Sequence, residues 1–84
     1  MYYIYVLRSK KDQSLYIGYT ANLKQRISDH NKGQSYFTKR KIPYEFIYGE
    51  IYIDKRDAKG REKFLKSGAG WRFLKKQIKY ILEP

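Results

Sequence analysis

The fold turns on residues 2–19, YYIYVLRSKKDQSLYIGY. Two runs in it, residues 2–8 (YYIYVLR) and 15–19 (LYIGY), consist largely of β-branched and aromatic residues, which suit a pleated, half-buried strand. Between them, residues 9–14 (SKKDQS) are polar, with Asp and Ser to favour a turn. Two such runs on a short polar link predict an antiparallel hairpin. Gly18 lies inside the second run, where a glycine weakens the strand and leaves a gap for another group.

Working outward, residues 22–32 predict a helix with Thr20 or Asn22 as its N-cap and Gly33 just past its end. Residues 33–44 form a basic loop closed by Pro43. Residues 45–53 (EFIYGEIYI) predict a third strand, with Gly49 as its bulge. Asp54 opens a second helix, with Asp57 three residues on in a capping-box-like arrangement. That helix runs to about Lys66 and is broken by SGAG at 67–70. A third helix over 71–82 sets Trp71, Leu74, Ile78 and Ile81 on one face. The expected order is ββαβαα: an α/β fold with a small three-stranded antiparallel sheet flanked by helices.

The 84 residues suit one small domain, residues 1–84 as a single unit. A domain near this size buries only about 60% of its unfolded surface, so most of its charge stays wet. The absence of cysteine excludes disulfides, Cys-ligated zinc, iron–sulfur clusters and a thiol nucleophile. A single histidine leaves no His-rich metal site. No apolar run approaches the roughly 20 residues of a membrane span. The N-terminus does not read as a signal peptide, because its basic residues follow the apolar run. The expectation is a cytoplasmic protein with no membrane partner and no small-molecule cofactor.

Lys and Arg number 19 against 8 Asp and Glu, a net charge of +11. A surplus of that size attracts polyanions, nucleic acid foremost. Residues 21–42 hold Lys24, Arg26, Lys32, Lys39, Arg40 and Lys41 against Asp29 alone, a net +5. Tyr36, Phe37 and Tyr44 are interleaved with these cations. Cations pair with phosphates and an aromatic face stacks on an exposed base, so Lys24, Lys32, Lys39, Arg40, Lys41 and Tyr36 are the expected nucleic-acid contacts. A solubilising surface with half-buried strand tyrosines is the plainer alternative.

Polar residues also stand where the helical period calls for apolar ones. The first helix has an apolar stripe at Leu23 and Ile27, and the same face takes Arg26 and His30, which are i, i+4 to each other. Snorkelling and a boundary hydrogen bond are the ordinary explanations. The second helix carries Ala58, Glu62, Leu65 and Ala69 on one stripe. There the ordinary explanation is a solvent-facing pair of Glu62 with Lys66, although that would also expose Ala58 and Leu65. Gly60 in the same helix marks a close approach or is incidental. Tyr5 and Tyr16 add phenols from the strands. A two-metal phosphodiesterase site needs several clustered carboxylates. The acids here are scattered, with Glu62 alone on a core-facing stripe, so a nuclease of this sequence would use one metal. Magnesium suits a single carboxylate because it keeps several waters.

Tyr3-Ile4-Tyr5, followed ten residues after Tyr5 by Leu15-Tyr16-Ile17-Gly18, resembles the paired motif that names the GIY-YIG nuclease superfamily. Leu23-x-x-Arg26-Ile27-x-x-His30 is similar to the family's helix motif. Arg61-Glu62-x-Phe64-Leu65-Lys66-Ser67-Gly68 resembles the segment carrying its metal-binding Glu. The resemblance spans nearly the whole chain and is strongest to small stand-alone single-domain members. It implies cleavage of a DNA phosphodiester with one Mg²⁺ or Mn²⁺ ion, in repair or recombination and selective for branched, nicked or single-stranded DNA. Glu62 would bind the metal and Arg26 would stabilise charge on the phosphoryl oxygens. Tyr5 and Tyr16 would position or deprotonate the attacking water, with His30 as the base or its assistant. A phenol titrates near pKa 10, so a cation such as Arg26 would have to lower it. Tyr3 stands where the motif has Gly, and the late Asn that some members use is missing. A weakly catalytic or non-catalytic nucleic-acid-binding module is the alternative.

Overall fold

In the computed structural model, which describes residues 1–83, β1 (Tyr2–Ser9) is the middle strand of a three-stranded antiparallel sheet. β2 (Leu15–Thr20) pairs along one edge and β3 (Tyr44–Tyr52) along the other. α1 (Leu23–Asn31) follows the hairpin, and α2 (Lys55–Leu65), α3 (Gly68–Gln77) and the single turn α4 (Lys79–Leu82) follow β3. The α/β architecture is the one the sequence implies.

The central position explains the composition of β1. Ile4, Tyr5, Val6 and Leu7 are all essentially inaccessible, because each face of the strand is covered. Ile4 and Val6 pack with Ala58, Leu65 and Leu74 of α2 and α3. Tyr5 and Leu7 face the other way, toward Tyr16, Leu23, Ile27 and Tyr44. Helices therefore sandwich the sheet, α1 on one side and α2–α3 on the other.

Local signals account for most boundaries. Asn22 caps α1 by accepting from the Gln25 N–H, and Gly33 adopts φ +76° where the chain turns away. Asp54 caps α2 by accepting from the Arg56 N–H, in place of a capping box with Asp57. Three details differ from expectation. The bulge in β3 lies at Ile47, because Val6 pairs with Tyr48 and Leu7 with Phe46, whereas Gly49 pairs regularly with Tyr5. Gly49 instead makes room for the Phe46 ring.

The SGAG segment does not interrupt helical structure for long. Ser67 caps α3 by accepting from the Gly70 N–H, so the three following residues form its first turn. Gly70 is required there, since a Cβ would overlap the Phe64 carbonyl oxygen and the Leu65 backbone. The third helix also bends at Ile78 (φ −120°, ψ 37°), which separates α3 from α4. Of its expected apolar face, Leu74 is fully buried, but Trp71 and Ile81 remain 42% and 41% exposed.

Candidate functional site

Tyr5 and Gly18 are directly paired across β1 and β2. A Cβ on Gly18 would overlap the outer ring carbon and hydroxyl of Tyr5, so the glycine lets that phenol lie across β2. Its hydroxyl reaches His30 Nε2 at 2.9 Å, and His30 Nδ1 lies 2.7 Å from Thr38 Oγ1. The hydrogen bonds thus join β1, α1 and the basic loop in one line. Tyr16 closes the group, its ring centroid 4.9 Å from that of His30 and 6.3 Å from that of Tyr5.

Arg26 lies one helical turn before His30, near enough to act electrically on Tyr5 and His30. Glu62 approaches from α2, on the opposite side of the sheet, and its charge also reaches Tyr5. Of the five residues expected from the sequence, Tyr5, Tyr16 and His30 are in contact, and Arg26 and Glu62 act on the Tyr5 hydroxyl through their charges.

The electrostatics differ from the expectation for a tyrosine base. Burial raises the Tyr5 pKa to about 12, and the nearby Arg26 offsets only part of that rise. That direction suits the Tyr5 hydroxyl to hydrogen bonding, as in its contact with His30. Burial, reinforced by the Arg26 charge and opposed by Asp29, lowers the His30 pKa below 6.5. His30 has no accessible surface, so its ring is reached only through its neighbours Tyr5, Tyr16 and Thr38.

Glu62 is half-buried and ion-paired, with Lys66 Nζ at 3.1 Å and Lys59 Nζ at 3.8 Å. The Lys66 pair matches the plain alternative for Glu62, yet Ala58 and Leu65 on the same helix are buried. Among the described residues there is no group of three or more His, Cys, Asp or Glu able to hold a metal. One hard carboxylate fits a Mg²⁺ or Mn²⁺ ion that keeps most of its waters, provided the flexible lysines swing away.

A second inward-facing acid escaped the sequence pattern. Glu50 of β3 accepts from Arg61 Nε at 2.8 Å and Nη2 at 3.0 Å, and from the hydroxyls of Tyr48 and Tyr52. Burial pushes the Glu50 pKa up, but these donors outweigh it and the net shift is downward. With its oxygens so occupied, Glu50 fastens α2 to β3 rather than offering a ligand. Thr38 and Asn31 were also missed. Asn31 clamps the start of β3, accepting from the Tyr44 N–H at 2.7 Å and donating to the Tyr44 carbonyl at 3.1 Å. Neither contact has a local signal, because each partner is distant in sequence.

The expected nucleic-acid contacts Lys24, Lys32, Lys39, Arg40, Lys41 and Tyr36 are all exposed. Lys41 is engaged with Asp12 at 3.3 Å. Tyr44 departs from the expectation of an interleaved surface aromatic: it is a core residue, 6% exposed, beneath His30. Gly60 meets nothing within 4 Å, so no close approach explains it.

The GIY-YIG catalytic domain model matches residues 1–70. A UPF0213 protein of Clostridium perfringens is 42% identical over 67 residues, covering 79% of this chain and 71% of that protein. One from Pediococcus acidilactici is 39% identical over 83 residues, covering 95% and 80%. Among solved structures, the solution structure of a UPF0213 protein from Bacillus halodurans is similar, with a TM-score of 0.55 and 29% identity. It covers 88% of this chain and 82% of its own.

Proposed function

Because the chain belongs to the GIY-YIG family and to the UPF0213 proteins, we propose that it is a nucleic-acid-binding module that hydrolyses its ligand weakly or not at all. The observation that carries this reading is the state of Glu62. It is the one acid of the cluster, and its carboxylate is ion-paired with two lysines that a metal would have to displace. The charge of the chain favours phosphate, since Arg26 and His30 lie in a stretch, residues 21–42, that carries a net +5.

The grouping of Tyr5, Tyr16 and His30, with Arg26 and Glu62 both acting on the Tyr5 hydroxyl, favours a second reading, a metal-dependent DNA endonuclease with one Mg²⁺ or Mn²⁺ ion. Glu62 would hold the ion, whose Lewis acidity polarises a phosphoryl oxygen when it is bound. Arg26 would pair with the remaining phosphoryl oxygens as charge builds on them. Tyr16, the less buried phenol, would orient the attacking water, while His30 fixes the Tyr5 hydroxyl beside it.

A cleavage panel distinguishes the two readings. Duplex, nicked, flapped and single-stranded DNA are incubated with Mg²⁺ or Mn²⁺, with binding measured alongside, for the parent chain and Glu62→Ala. The module reading expects binding by both proteins and little or no cleavage by either. Brisk metal-dependent nicking that Glu62→Ala abolishes, with binding retained, establishes the endonuclease instead. Nicking that survives the substitution removes Glu62 from the site. No binding to any DNA at low salt overturns both readings.

A further inference from the structure

Residues 35–38, Ser-Tyr-Phe-Thr, are divided between the interior and the solvent. Ser35 and Thr38 are buried, whereas Tyr36 and Phe37 between them are 76% and 80% exposed. The outer pair forms an edge-to-face arrangement, with ring centroids 5.5 Å apart at 89°. Lys39 Nζ sits 5.0 Å from the Tyr36 ring centroid. The anchors beneath are firm. Thr38 Oγ1 meets His30, and the Ser35 carbonyl accepts from the N–H groups of both Thr38 and Lys39.

Folding gains nothing from two large aromatics left in water. Phe37 has no polar atom to justify its exposure, and phosphate contact needs no ring. An aromatic pair rimmed by cations matches a ligand that carries flat apolar faces on an anionic backbone. A duplex hides its base faces inside the stack, so only unpaired nucleotides present them.

We propose that Tyr36 and Phe37 form a stacking platform for unpaired bases, held in register with the Tyr5–His30 site by the Thr38–His30 hydrogen bond. The proposal rests on the nucleic-acid reading above and narrows its ligand to single strands, flaps or frayed ends. Thr38 acts here as a positioning residue. The platform begins its work before any contact, because the anchored loop has little conformational entropy left to lose on binding.

The test uses a short DNA oligonucleotide containing 2-aminopurine, alone and annealed to its complement, with the intact chain and Tyr36→Ala/Phe37→Ala. The parent chain should bind the single strand more tightly and quench the 2-aminopurine. The double variant should lose roughly ten- to a hundredfold in single-strand affinity, together with the quenching, and keep its duplex affinity. The aromatic swap Tyr36→Phe/Phe37→Tyr should retain both, and unchanged melting temperatures show that the fold is intact. Equal losses on both probes, or none on either, overturn the platform while leaving the nucleic-acid reading in place. Failure of the parent chain to bind either probe overturns the nucleic-acid reading and the platform with it.

Discussion

His30 shows how one side chain takes its meaning from what surrounds it. On the helical stripe it is a polar intruder whose ordinary explanation is a boundary hydrogen bond. In the fold it makes two such bonds, to Tyr5 and Thr38, with no solvent contact at all. Its pKa lies below 6.5 in the folded state because burial, helped by Arg26, disfavours the cation. The unfolded chain therefore binds more protons once the pH drops below that value. Stability is fully present above about pH 6.5 and declines as the pH falls toward the folded pKa. Urea midpoints measured from neutral to mildly acidic pH should fall for the parent chain. The same series in His30→Gln should lack this part of the decline. The spacing of Arg26 and His30 made the pair visible in the sequence, whereas Thr38 was not, because a threonine in a basic loop carries no sign of its partner.

At the level of elements, the glycines of α2 and α3 separate what composition suggests from what packing requires. Gly60 and Gly70 look alike in sequence as glycines within or beside helices. Gly60 faces open space, while a Cβ at Gly70 would overlap the backbone at the end of α2. Gly60→Ala should stabilise the chain by about 1 kcal/mol, from helix propensity alone. Gly70→Ala should destabilise it by about 2 kcal/mol or more, because the clash is with backbone that cannot rotate away. Thermal or urea melts of the two variants should thus move in opposite directions. The strands and helices were legible from apolar period and cap, apart from the break before α4 and the start of α3. The latter boundary depends on how closely α3 crosses α2, which local pattern does not report.

For the whole molecule, the surplus of +11 is the dominant long-range property. A chain that engages phosphates with several of its cations releases counterions, so its affinity for DNA falls steeply as salt rises. Lys39→Gln/Arg40→Gln should weaken binding to all DNA sequences alike and reduce the slope of log affinity against log salt by about 1 per cation removed. Titrations at several salt concentrations measure that slope directly. An unchanged slope would take these two residues out of the interface. Within that field Arg26 and Glu62, from opposite sides of the sheet, both act on the Tyr5 hydroxyl of the central strand.

The sequence by itself determined the order of the main elements, the fold class and the residue types of the candidate site. Those depend on near neighbours: strand propensity, helical period, and caps within a turn of where they act. It also determined the charge, which is a sum and needs no fold. Only the tertiary structure decided that Glu50 is bound to Arg61 and that Tyr44 lies beneath His30. It likewise set the burial that pushes the Tyr5 pKa up, opposite to the lowering that a phenol base calls for. Burial and the competition among neighbouring charges set each of these outcomes, and both depend on contacts between residues far apart in the chain.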